Sequence, residues 1–305
     1  MHPASLLVFP LKISNKTKYV FRALLGILFL LSATAKLVGI DNFELYVFSF
    51  GWFPLGTAYL LSRLLIAAEY TLGILLLANF WPRLSFWGSL AMLAGFTLFL
   101  AVLAAGGNQD NCNCFGEWIQ LTPAQSIWKN LGMLALLLPS AGLQPFRLKR
   151  KGLCFALAAV LPLAAVLILS PPDNWRYDSY ARRDLVNEAA LQEAVENGTL
   201  PHSVVEGTHV VCFYSLKCNF CKLSARKLMA LRQRGDFPQA PVIAIFGQGE
   251  STDTAPFRAE TGFEPDETHF IAPADFLRIT NGHMPLILVM DGSAVKEKFN
   301  YRNLH

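Results

Sequence analysis

The chain has 305 residues, 53% of them hydrophobic, and its formal net charge is +4 at pH 7. This length allows about two domains. The apolar runs fill the part before Pro171, where only five of the 22 acidic residues lie, namely Asp41, Glu44, Glu69, Asp110 and Glu117. The small positive charge therefore comes from basic loops beside membrane helices and does not indicate a nucleic-acid-binding protein.

Five apolar segments approach or reach the roughly 20 helical residues that are needed to cross the hydrocarbon core of a bilayer. We expect membrane spans at about 19–39, 57–79, 86–106, 126–140 and 152–170. The fourth segment is the shortest and ends at Pro139. The first segment has no small-residue cleavage site before a soluble stretch, so we predict a retained helix and not a signal peptide.

Lysine and arginine residues lie on alternate loops of this arrangement. They open the first span, occur in the second loop and crowd the fourth, as Lys12, Lys16, Lys18, Arg22, Arg83, Arg147, Lys149, Arg150 and Lys151. The first loop (about 40–56) and the third (about 107–125) contain neither residue type. Because positive charge marks the cytoplasmic side, we predict a multi-pass protein of a bacterial inner membrane with a cytoplasmic N-terminus. Five spans then place residues 171–305 on the periplasmic, extracytoplasmic side.

After the last span the sequence is typical of a soluble α/β domain. We predict a linker at 171–184, a helix at 185–197, a strand at 209–215, the motif Cys218-Asn-Phe-Cys221, a helix at 222–234, a strand at 241–246, a helix around 253–261, and a hairpin of strands at 285–290 and 294–301. The strands are rich in β-branched and aromatic residues. Asp291-Gly292 is a typical hairpin turn.

This order of elements resembles the thioredoxin-like superfamily over about residues 185–301. The resemblance implies that Met284-Pro285 contains a cis-proline, which packs against the cysteine pair and offers backbone groups to a partner peptide. Cys212 departs from the pattern, because thioredoxins have a buried acid at this position. It is either a small core residue or a third thiol that reaches the site. The chain also ends too soon for the usual terminal helix, so one sheet face is covered by the 185–197 helix alone or by the membrane domain.

The Cys-x-x-Cys motif at a helix start indicates redox chemistry. Unpaired N–H groups and the positive end of the helix dipole stabilise a thiolate there. We therefore expect Cys218 to be the nucleophile and Cys221 to resolve the mixed disulfide. A structural disulfide and half of a zinc site are the alternatives. Zinc needs about four ligands, and no second Cys-x-x-Cys motif or histidine pair supplies them, so we expect no metal.

A second cysteine pair, Cys112 and Cys114, lies in the loop after the third span. A Cys-x-Cys disulfide closes a small, strained ring, and strain makes such a bond more oxidising. Alternatively, each thiol exchanges separately with an incoming protein. Copper binding is a further alternative, since thiolates select soft metals.

The Cys-x-Cys-Phe-Gly motif behind the third of four spans resembles the DoxX/MauE-like membrane proteins over about residues 19–140. A first span that ends in Ala35-Lys36-Leu37 and a second span that contains Glu69 belong to the same resemblance. It implies a four-helix membrane core associated with thiol chemistry, including disulfide formation during maturation of methylamine dehydrogenase. The fifth span and the thioredoxin-like domain lie outside that core.

Glu69 lies near the bilayer middle in the second span. An ionised, lipid-facing carboxylate there costs at least a few kcal/mol, so we expect Glu69 to face the bundle interior, protonated or paired with Lys36 or Lys129. The alternatives are a purely structural pair, in which the lysines reach toward the interface, and proton handling beside an electron carrier.

These observations predict three regions and one function. The regions are a DoxX/MauE-like membrane domain (1–150), a fifth span with a linker (151–184) and an extracytoplasmic thioredoxin-like domain (185–305). The function is a membrane thiol–disulfide oxidoreductase that relays electrons between an exported thiol-containing client, the two cysteine pairs and a quinone in the membrane lipid. The quinone follows by analogy of function with other membrane thiol oxidoreductases. An outward-delivering thiol reductase, a copper or metal chaperone and a client-specific assembly factor are the rival functions.

Overall fold

The computed structural model describes residues 14–106, 121–146, 150–176, 185–249 and 252–304. The chain divides into two compact units: Met1–Phe43 with Leu61–Ser170, and Glu44–Leu60 with Pro171–His305. The first unit is helical and the second is built on a β-sheet. A membrane helical region therefore precedes an α/β domain, as the sequence predicts.

Six helices make up the N-terminal half of the described chain. They are α1 (Asn15–Val38), α2 (Ile40–Ser49), α3 (Leu55–Ala78), α4 (Pro82–Ala105), α5 (Pro123–Leu137) and α6 (Lys151–Leu169). Side-chain hydrogen bonds cap the N-termini of two of these helices. The Ser14 side chain caps α1, and Thr122 and Gln125 form a reciprocal capping box at the start of α5.

Among the described residues, four helices are long and apolar enough to cross a membrane: Asn15–Val38, Leu55–Ala78, Pro82–Ala105 and Gly152–Leu169. The fourth predicted span coincides with α5, which has 15 residues and continues as a 3₁₀ turn at Leu138–Ser140. The first predicted loop, 40–56, contains the helix α2. The sequence did not indicate this helix, because its ten residues lie next to a long apolar run.

The bundle core joins four of these helices. Leu25 and Phe29 of α1 pack with Leu76 of α3, Leu93 of α4 and Met133 of α5. At one point α1 and α3 approach each other backbone to backbone. A Cβ added at Gly26 would lie 3.0 Å from the Gly73 carbonyl oxygen, and one added at Gly73 would lie 3.0 Å from the Gly26 carbonyl oxygen. Glycine is needed at both positions because no side chain fits between the helices.

The second unit contains a five-stranded mixed sheet in its described residues, with the strand order β3-β2-β1-β4-β5. The strands are β1 (Thr208–Tyr214), β2 (Val242–Gly247), β3 (Glu267–Ile271), β4 (Leu286–Asp291) and β5 (Ala294–Phe299). Strands β1, β2 and β3 are parallel, β4 is antiparallel to β1, and β5 is antiparallel to β4. Gly292 has φ 60° in the predicted hairpin turn.

The remaining helices are α7 (Asp173–Arg176), α8 (Glu188–Glu196), α9 (Asn219–Arg234), α10 (Ala255–Thr261) and α11 (Pro273–Thr280). One sheet face packs on residues of α8 and α11. The other packs on α9, on α10 and on Phe48, Leu55, Ala58 and Tyr59 of the Glu44–Leu60 segment. The 185–197 helix does not cover its face alone, because α11 shares that face. The opposite face is covered in part by a segment of the region predicted as the membrane domain.

Candidate active site

Cys218 lies where β1 has ended and α9 begins. It is the N-terminal cap of α9, and its Sγ accepts a hydrogen bond from the Cys221 backbone N–H at 3.3 Å. Cys221 lies one turn into the helix and is buried, and its Sγ accepts from the Ser215 N–H at 3.4 Å. Both residues are free thiols, so the geometry is that of the reduced pair.

The two thiols have opposite protonation preferences. A hydrogen bond from the Cys221 side chain, helped by the backbone N–H groups of Cys221 and Phe220, lowers the Cys218 pKa to about 6 against the opposing effect of burial. The hydrogen bond to Cys218, together with burial, raises the pKa of Cys221 well above its ordinary value. At neutral pH the pair therefore holds a thiolate at Cys218 and a neutral thiol at Cys221. A thiolate is the attacking species in thiol–disulfide exchange.

The chain before β4 lies at the same end of the sheet as this thiolate. Leu286, the first residue of β4, pairs with Phe213 near the end of β1. The Met284–Pro285 peptide bond is cis. The Met284 side chain is half-exposed, and so is Phe220 beside Cys218. Both are apolar surface that an incoming peptide can contact.

Cys212 lies in β1 and is completely buried, in the same apolar cluster as Cys221. Burial raises its pKa to about 12. The thiol is therefore neutral at physiological pH, unlike the ionisable acid that thioredoxin-like proteins place there. It cannot accept a proton from Cys221 in that state, and the geometry favours its role as a core residue.

The membrane bundle contains a second polar cluster. Lys36 Nζ lies 2.8 and 2.9 Å from the two carboxylate oxygens of Glu69 and 2.7 Å from the Ser32 hydroxyl. Lys36 is 2% exposed and Glu69 is 6% exposed. The ion pair is thus inside the bundle, and Lys36 does not reach out to the interface. Lys129 and Asn130 line a cavity of about 20 Å³ beside the pair, which has room for about one water molecule.

Residues 14–143 match the family described as Methylamine utilisation protein MauE. This part of the chain is a MauE-like membrane domain. The match includes the helices that carry the Lys36–Glu69 pair. The chain is also 28% identical over 304 residues to Protein TlpB of Flavobacterium psychrophilum, and the match covers 82% of each chain. No solved structure matches the chain significantly.

The MauE-like domain also contains Cys112 and Cys114, which lie outside the described residues. The geometry therefore adds nothing to the prediction that they form a redox pair. Inside the MauE-like domain, Lys36 binds both carboxylate oxygens of Glu69, and Lys129 lines the small cavity beside them.

One buried cation in the α/β domain could not be predicted from the sequence. Lys227 lies on α9 and is 1% exposed, and its Nζ binds the Tyr59 hydroxyl and the Tyr301 carbonyl. A lysine in the middle of an amphipathic helix normally faces solvent.

Proposed function

We propose that this chain is a membrane thiol–disulfide oxidoreductase whose α/β domain is thioredoxin-like and uses Cys218 and Cys221 as its redox pair. The observation that carries the proposal is the thiolate at the N-terminus of α9, with a neutral, buried thiol one turn later. The sheet order and the cis bond before β4 support the thioredoxin-like assignment. The similarity to Protein TlpB over both parts of the chain supports treating them as one functional protein.

The proposed reaction is thiol–disulfide exchange among four sulfur atoms, two of the client and those of Cys218 and Cys221. A client thiolate attacks Cys218 in the Cys218–Cys221 disulfide, which forms a mixed disulfide and releases Cys221 as a thiol after it takes up a proton. A second client thiolate then attacks the client sulfur of the mixed disulfide and expels the Cys218 thiolate. The client gains a disulfide, and the pair gains two electrons and one proton at Cys221.

The electrostatics favour oxidation of the client over its reduction. A thiol of low pKa is the better leaving group, and a stabilised thiolate favours the reduced form of the pair. The Cys218 pKa of about 6 therefore makes this pair a stronger oxidant than an unperturbed dithiol would be. An outward-delivering reductase requires the opposite, a pair that gives up its electrons readily.

We propose that Cys112 and Cys114 accept the electrons from the reduced Cys218–Cys221 pair. A membrane quinone then accepts the electrons from Cys112 and Cys114. Clients are exported proteins with free thiols, and the α/β domain lies on the periplasmic side. The cavity beside Glu69 is too small for a quinone ring at about 20 Å³, so we do not assign Glu69 or Lys36 to quinone binding. We propose that Glu69 and Lys36 form a structural pair within the MauE-like domain.

Trapping of the mixed disulfide tests the proposal. In Cys221→Ala the Cys218 thiolate lacks its resolving partner, so client proteins should accumulate as covalent adducts on non-reducing gels. Cys218→Ala should give none, and Cys212→Ala is the matched control, because it removes a buried thiol that has no role in the exchange. Adducts in Cys218→Ala but not in Cys221→Ala would reverse the assigned roles. Adducts in neither would contradict the proposed activity.

A further inference from the structure

The buried face of α9 packs against Glu44–Leu60, a segment from much earlier in the chain. Lys227 Nζ lies 2.6 Å from the Tyr59 hydroxyl oxygen and 2.9 Å from the Tyr301 carbonyl oxygen. It also lies over both aromatic rings, 5.3 Å from the Tyr59 centroid and 4.7 Å from the Tyr301 centroid. A buried ammonium group is tolerated only with such partners. Tyr59 is therefore part of the site that holds this lysine.

Other contacts of the Glu44–Leu60 segment extend this packing along α9. The Arg234 guanidinium donates to the Phe53 carbonyl at 2.7 Å and lies 4.8 Å from the centre of the Phe48 ring. Leu45 packs with Leu223 and Tyr301.

Apolar contacts also join the Glu44–Leu60 segment to the core of the α/β domain. Phe48, Leu55, Ala58 and Tyr59 are all buried in the cluster that contains Cys212 and Cys221. The segment is thus continuous with the core beneath the cysteine pair. It covers the surface that the sheet and α9 present on this side of the domain.

We propose that Glu44–Leu60 is an integral element of the α/β domain and that this contact fixes the membrane topology of the whole chain. The segment connects α1 to α3, two helices long enough to span a membrane. A segment in the core of a soluble domain lies on the same side of the membrane as that domain. The α1–α3 connection and residues after α6 therefore share one side.

The shared side of these two regions implies that α5 crosses the membrane. Between the segment and the α/β domain the chain passes through α3, α4, α5 and α6, and an even number of crossings must return it to the starting side. α3, α4 and α6 give three crossings, so α5 provides the fourth, although it is the shortest of these helices. With its 3₁₀ extension it covers Pro123–Ser140, about 28 Å at standard rises per residue. That length nearly matches a hydrocarbon core of about 30 Å.

Cysteine labelling of the full chain in intact and permeabilised cells tests the topology. The background replaces Cys112, Cys114 and Cys218 by serine. Single cysteines are then placed at three exposed positions as Trp52→Cys, Gln192→Cys and Gln144→Cys. A membrane-impermeant maleimide should label positions 52 and 192 in intact cells and position 144 only after permeabilisation. Opposite behaviour of positions 52 and 192 would overturn the shared side. Labelling of position 144 together with 192 would overturn the crossing by α5.

A double-mutant cycle tests the contact itself, with the rate of protease cleavage within the α/β domain of the full-length protein as the readout. Lys227→Met and Tyr59→Phe should each speed cleavage several-fold, and the double variant should be no faster than the faster single variant, because both remove the same hydrogen bond. Lys222→Met is the matched control on the same helix, since Lys222 is only partly buried and pairs with Glu260 at the surface. Effects that multiply in the double variant would show that the two residues act independently and would overturn the proposed contact.

Discussion

Replacement of Cys221 by alanine should raise the pKa of Cys218. The largest contribution to the lowered pKa is the hydrogen bond from the Cys221 side chain, and alanine removes it. The backbone N–H groups of residues 221 and 220 remain and continue to stabilise the thiolate. The pKa of Cys218 should therefore move from about 6 toward its ordinary value of 9.0 without reaching it.

The size of the effect follows from the ionised fraction. A thiol with a pKa of about 6 is about 90% thiolate at pH 7, whereas one with a pKa of about 9 is about 1% thiolate. The rate of alkylation by iodoacetamide, normalised to its high-pH plateau, reports this fraction. It should rise through an inflection near pH 6 in the reduced wild-type protein, and at distinctly higher pH in Cys221→Ala.

Cys212→Ala is the control for this titration, because Cys212 lies within the core and the hydrogen bonds that lower the Cys218 pKa come from Cys221 and Phe220. Its inflection should stay near pH 6. A wild-type inflection near pH 9 would refute the thiolate assignment. An unchanged inflection in Cys221→Ala would show that the helix N-terminus alone lowers the pKa, and that the resolving thiol does not.

Three further predictions concern residues outside the Cys218–Cys221 pair. Glu69→Gln leaves the Lys36 ammonium buried beside a neutral amide and should destabilise the bundle by about 3–5 kcal/mol, measured by thermal unfolding in detergent, whereas the combined Lys36→Met and Glu69→Leu exchange should cost less. Cys212 should resist alkylation in the native protein up to about pH 9, because its pKa of about 12 keeps it protonated, and labelling before unfolding would contradict its burial. Replacement of both Cys112 and Cys114 by serine should leave the Cys-x-x-Cys pair in one redox state in cells, and normal cycling would show a different electron route.

The sequence predicts the elements whose pattern is local. β1 is a run of β-branched and aromatic residues, and its burial on both faces follows from that composition. The start of α9 follows from the Cys-x-x-Cys motif. β3 was missed because Glu267–Ile271 is a polar, half-buried strand at the sheet edge, where the alternation of apolar and polar residues is weak. α11 was missed because eight residues give too short a periodic pattern.

In the candidate site, too, some features can be predicted from local sequence and others cannot. The buried pairing of Glu69 is predictable, because an unpaired carboxylate inside a membrane is too costly. The burial of Lys227 is not predictable from its own helix, since its partner Tyr59 lies 168 residues earlier in the chain. The sequence likewise does not show that Glu44–Leu60 packs on the sheet and on α9. Such contacts depend on tertiary packing, which no local pattern encodes.

The most direct test of the proposed chemistry is a redox titration of the purified full-length protein in glutathione buffers, with mass spectrometry to assign the disulfides. The account predicts a reversible two-electron transition between free thiols and a Cys218–Cys221 disulfide. This transition should persist when Cys112, Cys114, Cys154 and Cys212 are replaced, and its potential should be more oxidising than that of an unperturbed dithiol. If Cys218 and Cys221 form no disulfide with each other under any buffer, the pair is not a redox centre and the central claim is wrong.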